Sequence, residues 1–137
     1  MRAIRALWWQ IEDYWPLIEP WVTRALSHGG MVSSSNDILS DILNRKLTLF
    51  VVHDDAGAVT GFAATRVENY TRMRVLLVTL IGGRNLRDWK HLHPLLEEEA
   101  RRLNCTAIEG YGRKGWERVA QSLGYKPLTI TYRKTLT

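Results

Sequence analysis

The stretch Met73-Arg74-Val75-Leu76-Leu77-Val78-Thr79-Leu80-Ile81-Gly82-Gly83 decides the fold. From Met73 to Ile81 it is nearly continuous in apolar residues, so it suits a central strand covered on both faces. It is too short to span a bilayer. Working back from it, Glu68-Asn69-Tyr70 reads as a turn and Val59–Val67 as a strand. Asp54-Asp55-Ala56-Gly57 reads as a hairpin turn, with Gly57 free to take positive φ, and Leu47–His53 as the strand before it. These three strands form a meander.

Further upstream, Leu17, Ile18, Trp21, Val22 and Ala25 fall at helical spacing. Asp13 can cap that helix, Pro16 suits its first turn, and Gly29-Gly30 stops it. Ser35, Asn36 and Asp37 offer caps for a second helix, with Ile38, Leu39, Ile42 and Leu43 on one face. Ala3 to Trp9 partly alternates and reads as a first strand.

Downstream, Asn85 is a candidate cap, and Leu86, Trp89, Leu92, Leu96, Ala100 and Leu103 keep helical period. Pro94 either kinks this helix or divides it at His93. Glu97-Glu98-Glu99 followed by Arg101-Arg102 reads as an ion-paired solvent face. Thr106–Tyr111 is a strand, Trp116–Leu123 a helix stopped by Gly124, and Leu128–Leu136 a last strand. The order is β-α-α-β-β-β-α-β-α-β. It implies an α/β fold with one mixed, mostly antiparallel sheet and helices on both faces.

The chain has 137 residues, which suits one domain spanning 1–137 with a sizeable core. The apolar share is 45% and the charged share 24%, which excludes a disordered chain or a fibre. The one cysteine, Cys105, excludes an internal disulfide framework and a Cys-rich zinc site. It reads as a small buried hydrophobe. Gln10, Glu12 and Asp13 interrupt any signal-peptide core, so a cytoplasmic protein with no membrane span is expected. The formal charge of +5 lies in residues 110–137, where Arg113, Lys114, Arg118, Lys126, Arg133 and Lys134 face only Glu117. Such a patch can meet the phosphates of a nucleotide cofactor or of nucleic acid, or simply keep the surface solvated. No zinc finger, RNP-like strand or long basic run accompanies it, which argues against nucleic acid.

The element order, together with Val119-Ala120-Gln121-Ser122-Leu123-Gly124-Tyr125, resembles the GNAT N-acetyltransferase superfamily over essentially the whole chain. In that family a Leu-Gly-aromatic triplet closes the fourth helix. Gly82-Gly83 and Tyr111-Gly112-Arg113-Lys114-Gly115-Trp116 are similar to a divergent GNAT-like group of phages and prophages. The resemblance implies acetyl-CoA-dependent N-acetyl transfer to an amine, by direct attack. For a phage-encoded protein it implies a place in the host cytoplasm or the virion.

In the family, acyl-CoA lies where two parallel strands splay, with its pyrophosphate at the start of the next helix. That carries cofactor binding onto Leu80, Ile81, Gly82, Gly83, Arg84 and Asn85, with Arg87 as added charge. Free amides and a positive helix end make an anion site there. The same glycines equally fit a tight strand-to-helix turn. The loop here is shorter than the family's Arg/Gln-x-x-Gly-x-Gly/Ala pattern.

The family's acid, a Tyr in the fourth helix, is matched by Ala120. The family's frequent Asn before that helix is matched by Arg113. Glu109 and Tyr111 share a face of the fifth strand by its period of two, and can serve as base and acid. Glu68 is a further candidate base. The plainer readings are an ion pair for Glu109 and a core aromatic for Tyr111. No metal is expected, because His91 and His93 are two apart and His28 and His53 are isolated.

Trp8, Trp9, Trp15 and Trp21 crowd the N-terminal segment, where they either pack in the core or dock a protein partner. Edge strands at the two chain ends are candidates for pairing between subunits. Three functions therefore stand. One is the transferase. The second is a non-catalytic GNAT-like phage protein used for assembly or host-factor binding. The third, weakest, is nucleic-acid binding.

Overall fold

The structure is a computed structural model that describes residues 1–28, 33–85, 89–111 and 114–136. Its five strands are β1 (Arg2–Arg5), β2 (Thr48–His53), β3 (Val59–Tyr70), β4 (Met73–Gly83) and β5 (Ala107–Gly110). They lie side by side in chain order. The first three pairings are antiparallel and β4 with β5 is parallel, so the expected mixed, mostly antiparallel sheet is present.

Helices α1 (Ile11–His28) and α2 (Ser35–Leu43) cover one face. Ile18, Val22, Ile38 and Ile42 pack there on Leu49, Val51, Phe62, Ala64 and Leu80. Helix α3 (Trp89–Arg102) covers the other face, setting Trp89, Leu92 and Leu96 on Phe50, Val52, Ala63 and Val78. Alternate strand residues thus feed two cores, which is why β4 needs apolar side chains on both sides. Val75, Leu76, Leu77 and Val78 are all buried. Helix α4 (Glu117–Ser122) adds Val119, with Leu123 just after it, to the edge of the α3 core.

Several elements differ from expectation. Strand β1 ends at Arg5, and Trp8–Gln10 form a 3-10 turn that leads into α1. The Gln10 side chain accepts from the Leu7 amide and closes that turn. Helix α1 therefore starts before Asp13, and Pro16 and Pro20 both lie inside it. Each proline removes one helical hydrogen bond, but both are exposed, so the freed carbonyls meet solvent. Helix α2 is capped by Ser34 rather than by Ser35, Asn36 or Asp37, with Asp37 returning the bond to the Ser34 amide. Pro94 neither divides nor ends α3, which runs through it. The expected stop at Gly29-Gly30 lies outside the described residues.

Glu99 is not on a solvent face. It is 5% exposed and its carboxylate meets Arg5 of β1 at 3.5 Å, as well as Arg102. Glu68, Asn69 and Tyr70 are strand, not turn: β3 continues to Tyr70, which pairs with Met73. Arg74 holds this end together, donating to the Asn69 side chain at 2.8 Å and to the Leu103 carbonyl at 2.7 Å. Residues 125–136 form no regular element, so the expected last strand at Leu128–Leu136 is absent. A strand requires a partner backbone, and this segment pairs with none of the described residues.

Candidate active site

The site begins where β4 parts from β5. Strand β5 pairs with β4 only from Val75 to Val78, where Val78 faces Gly110. The next residue, Thr79, is a bulge: Ala64 faces Leu80 and Thr65 faces Val78, leaving Thr79 without an opposite on β3. Its hydroxyl is buried and donates to the Ala64 carbonyl at 3.0 Å. A bulge bends its strand and increases local twist. From Leu80 to Gly83 the β4 backbone stays paired with β3, and among the described residues no strand lies on its other side from Thr79 onward. That open edge is the inner wall of a cleft.

The cleft has a volume of about 440 Å³ and is lined by Trp21, Arg24 and Ala25 of α1, Ile81 to Asn85, and Gly115 with Trp116. This volume is within the usual range for a small-molecule site. Five of the six residues expected to hold a cofactor line it; Leu80 lies beneath, buried in the α1 core. Arg87 and the expected start of the following helix at Leu86 lie outside the described residues, as does Arg113.

The two glycines have different causes. A Cβ on Gly83 would stand 2.5 Å from the Thr60 carbonyl oxygen, and its φ is +152°. This glycine lets β3 and β4 close on each other. A Cβ on Gly82 would press on Phe62 at 3.0 Å and on Trp21 at 3.4 Å. At Gly115 an added Cβ would meet nothing within 4 Å, so this glycine faces the opening.

Two guanidinium groups border the cleft. Arg84 makes a 3.5 Å ion pair with Asp54, and its amide donates to Thr60. Arg24 has no ion-pair partner among the described residues. Arg24, Trp21 and Trp116 were missed by sequence reasoning; α1 had shown only its apolar period.

Glu109 and Tyr111 do not line this cleft. Glu109 faces Leu77 across the β4–β5 ladder, on the face that carries α1 and α2. It sits two strand positions below Thr79, or about 7 Å along the sheet. Its carboxylate accepts from the Tyr70 phenol at 3.1 Å. That bond and the carboxylate charge hold the Tyr70 phenol above the usual tyrosine range, with smaller contributions from Tyr111 and Glu68. Glu109, Tyr111 and Tyr70 are thus one neighbourhood. Glu68 is tied to Arg66 by a 2.7 Å ion pair. Tyr111 is mostly exposed and follows the end of β5, so it is not a core aromatic. Tyr70 was hidden by the expectation of a turn.

A second polar group lies beside Trp89. His93 of α3 contacts Glu97 through Nδ1 at 2.9 Å and Tyr125 through Nε2 at 2.8 Å. Burial pushes His93 below the ordinary imidazole range, and Glu97 opposes this; burial pushes Tyr125 up. A neutral ring fits both bonds, with Nδ1–H donating to Glu97 and Nε2 accepting from Tyr125. The rings of Trp89 and Trp116 pack edge to face beside it. His53 pairs with the Tyr14 hydroxyl at 3.2 Å. Cys105 is free and half-buried. Among the described residues no group of His, Cys, Asp or Glu could hold a metal ion, and no helix is long and apolar enough to cross a membrane.

Comparison with solved structures gives the fold its family name. The chain is similar to a GNAT family acetyltransferase of Staphylococcus aureus (TM-score 0.65, 20% identity, covering 99% of this chain and 100% of that one). It is also similar to an aminoglycoside N-acetyltransferase in complex with CoA (TM-score 0.70, 17% identity, 98% and 93% covered). It is similar as well to a ribosomal-protein-alanine N-acetyltransferase from Brucella melitensis biovar Abortus 2308 (TM-score 0.72, 13% identity, 99% and 100% covered). The chain has the GNAT acetyltransferase fold. No protein-family model and no curated protein matches the sequence.

Proposed function

We propose that the protein is an acetyl-CoA-dependent N-acetyltransferase acting on an amine. The observation that carries this reading is the β4 edge from Thr79 to Gly83, which pairs with no strand on its β5 side among the described residues and opens into the cleft at Ile81 to Gly83. A strand edge with free amides and carbonyls suits a ligand that carries amide groups of its own. Ile81 to Asn85 would hold the pantetheine arm, and Arg24 and Arg84 the phosphates. Gly115 leaves room on the far side.

Acetyl-CoA supplies a thioester acyl group when bound. Glu109 lies outside the cleft, about 7 Å along the sheet from Thr79, so it would take the proton of an acceptor ammonium held beside β5 that reaches toward the acyl carbon. The new bond is C–N and the broken one is C–S. Tyr111, beside Glu109, would be the group that gives its phenolic proton to the departing sulfur. Tyr70 fixes the Glu109 carboxylate through its hydroxyl. Titration calorimetry with acetyl-CoA, and with CoA as second ligand, tests the reading. Micromolar binding followed by acetyl transfer to a member of an amine panel is expected. No heat at millimolar ligand would remove it.

A second reading is favoured by one observation. Trp8 and Trp9 are 68% and 59% exposed, packed edge to face on the 3-10 turn, with Leu7 exposed beside them. Such an aromatic patch suits a protein partner. Ala120, where the family has its acid, fits this non-catalytic, phage-type role too.

A further inference from the structure

Building on the acyl-CoA reading of the cleft, we propose that the indole N–H of Trp89 is a donor to the ligand, held for an amide carbonyl oxygen of the acyl-donor arm where that arm passes Ile81 and Gly82. Trp89 is 9% exposed, and its Nε1 is buried with no acceptor among the described residues. Buried N–H groups are nearly always paired, so one left over calls for an explanation. The polar ring beside it is already engaged: His93 uses Nδ1 on Glu97 and Nε2 on Tyr125. Phe50, Val52, Leu92 and Leu96, in the same core, are apolar. A phenylalanine would fill such a site without burying a donor, so packing alone does not account for a tryptophan.

The space beside Trp89 adjoins the cleft. A small cavity of about 10 Å³ lies against Trp89, Val52, Phe62 and Leu92. Ile81, Gly82, Asn85 and Trp116 line both this cavity and the cleft. Room of that size takes one oxygen-sized group. Trp116 packs edge to face on Trp89, with ring centres 5.8 Å apart, and is only partly buried. It ends the short 3-10 turn Lys114–Trp116. A ligand laid along β4 therefore reaches Trp89 by shifting one side chain of a surface turn, without opening the core.

The surroundings select the kind of oxygen. No charged side chain lines the small cavity among the described residues, so it suits a neutral carbonyl better than a phosphate. Arg24 and Arg84 line the cleft but not this cavity, which leaves them to the anionic end of the ligand. An N–H···O bond in apolar surroundings is strengthened by the low local dielectric, and it restores the partner that the buried donor lacks.

The test is NMR of the full chain with ¹⁵N-labelled tryptophan. Trp89→Phe identifies the Nε1–H signal of Trp89; should that variant not fold, contacts to the Trp116 ring assign the signal in the wild type. The signal should move downfield and exchange more slowly with solvent on saturation with CoA. It should do the same with saturating pantetheine, which carries the amide arm without the nucleotide. By calorimetry Trp89→Phe should bind CoA about 3- to 10-fold more weakly, the worth of one hydrogen bond, while melting no lower than the wild type. A wild type that binds CoA with the Trp89 signal unmoved would overturn this proposal alone and leave the acyl-CoA reading standing. So would wild-type affinity in Trp89→Phe, or a shift with CoA and none with pantetheine. A wild type that binds no CoA would overturn both.

Discussion

Tyr70 on β3 donates its phenol to the Glu109 carboxylate on β5 at 3.1 Å, bridging the strand between them. The negative acceptor disfavours the phenolate, which is why the Tyr70 phenol titrates above its usual range. Glu109→Gln should therefore bring the Tyr70 phenol back down, read by NMR of the labelled tyrosine ring. If Glu109 is the base, the same variant should lose acetyl transfer by about 10²-fold or more. Tyr70→Phe should cost less, about 3- to 10-fold in kcat, with CoA affinity unchanged, as befits a residue that orients another. Equal losses of CoA affinity in both variants would refute this division of roles.

The glycines at the cleft separate folding from binding. Gly115→Leu adds a side chain where nothing lies within 4 Å, so its melting temperature should stay near that of the wild type. Its affinity for CoA should fall by at least about tenfold, since the leucine occupies the cleft. Gly83→Ala sets a Cβ 2.5 Å from the Thr60 carbonyl oxygen, and should lose about 2–4 kcal/mol of stability. Chemical denaturation and calorimetry on the two variants distinguish these effects. A stable Gly115→Leu that still binds CoA at wild-type strength would move the cofactor out of this cleft.

Which features were legible in the sequence follows from how local their causes are. The burial of β4 on both faces was written in its own residues, and Asp54 accepts from the Ala56 and Ala58 amides as a turn residue should. Gly124 takes φ +92° at the end of α4, also a local effect. Tyr70 was not legible, because Glu68-Asn69-Tyr70 is polar enough to read as a turn. It becomes strand only because β4 and Arg74 hold it from outside. Glu99 likewise follows a charged face by local spacing, and is buried because Arg5 of a distant strand reaches it. The cleft itself was inferred from the family resemblance. Its bulge at Thr79 depends on pairing that no single segment encodes.

Two buried histidines should set the acid limit of stability. His53 lies below the ordinary imidazole range through burial first and then Arg2, with Asp54 opposing; His93 does so through burial, with Glu97 opposing. In the unfolded chain both titrate near about 6.5. Below that pH the unfolded state takes up protons that the folded state resists, so stability falls as pH drops from about 6.5 toward the folded values. Thermal melts between pH 7.5 and 5 should show this slope. His53→Gln with His93→Gln should melt lower at pH 7.5, having lost the bonds to Tyr14 and Tyr125, but with a flatter pH dependence. An unchanged slope would mean that other groups set the acid limit.

The Glu99 carboxylate joins α3 to the sheet edge through Arg5, and is held from its own helix by Arg102. It is nearly fully buried, whereas both arginines are about half exposed. Losing one arginine leaves the other in place, so Arg5→Met alone should cost about 1 kcal/mol. Losing both strands a buried charge, and Arg5→Met with Arg102→Met should cost about 3 kcal/mol or more, beyond the sum of the two single changes. Adding Glu99→Met to that pair removes the stranded charge and should restore most of the loss. Urea denaturation of the four variants measures the coupling. Strict additivity would mean that the carboxylate is hydrated rather than held by the two arginines.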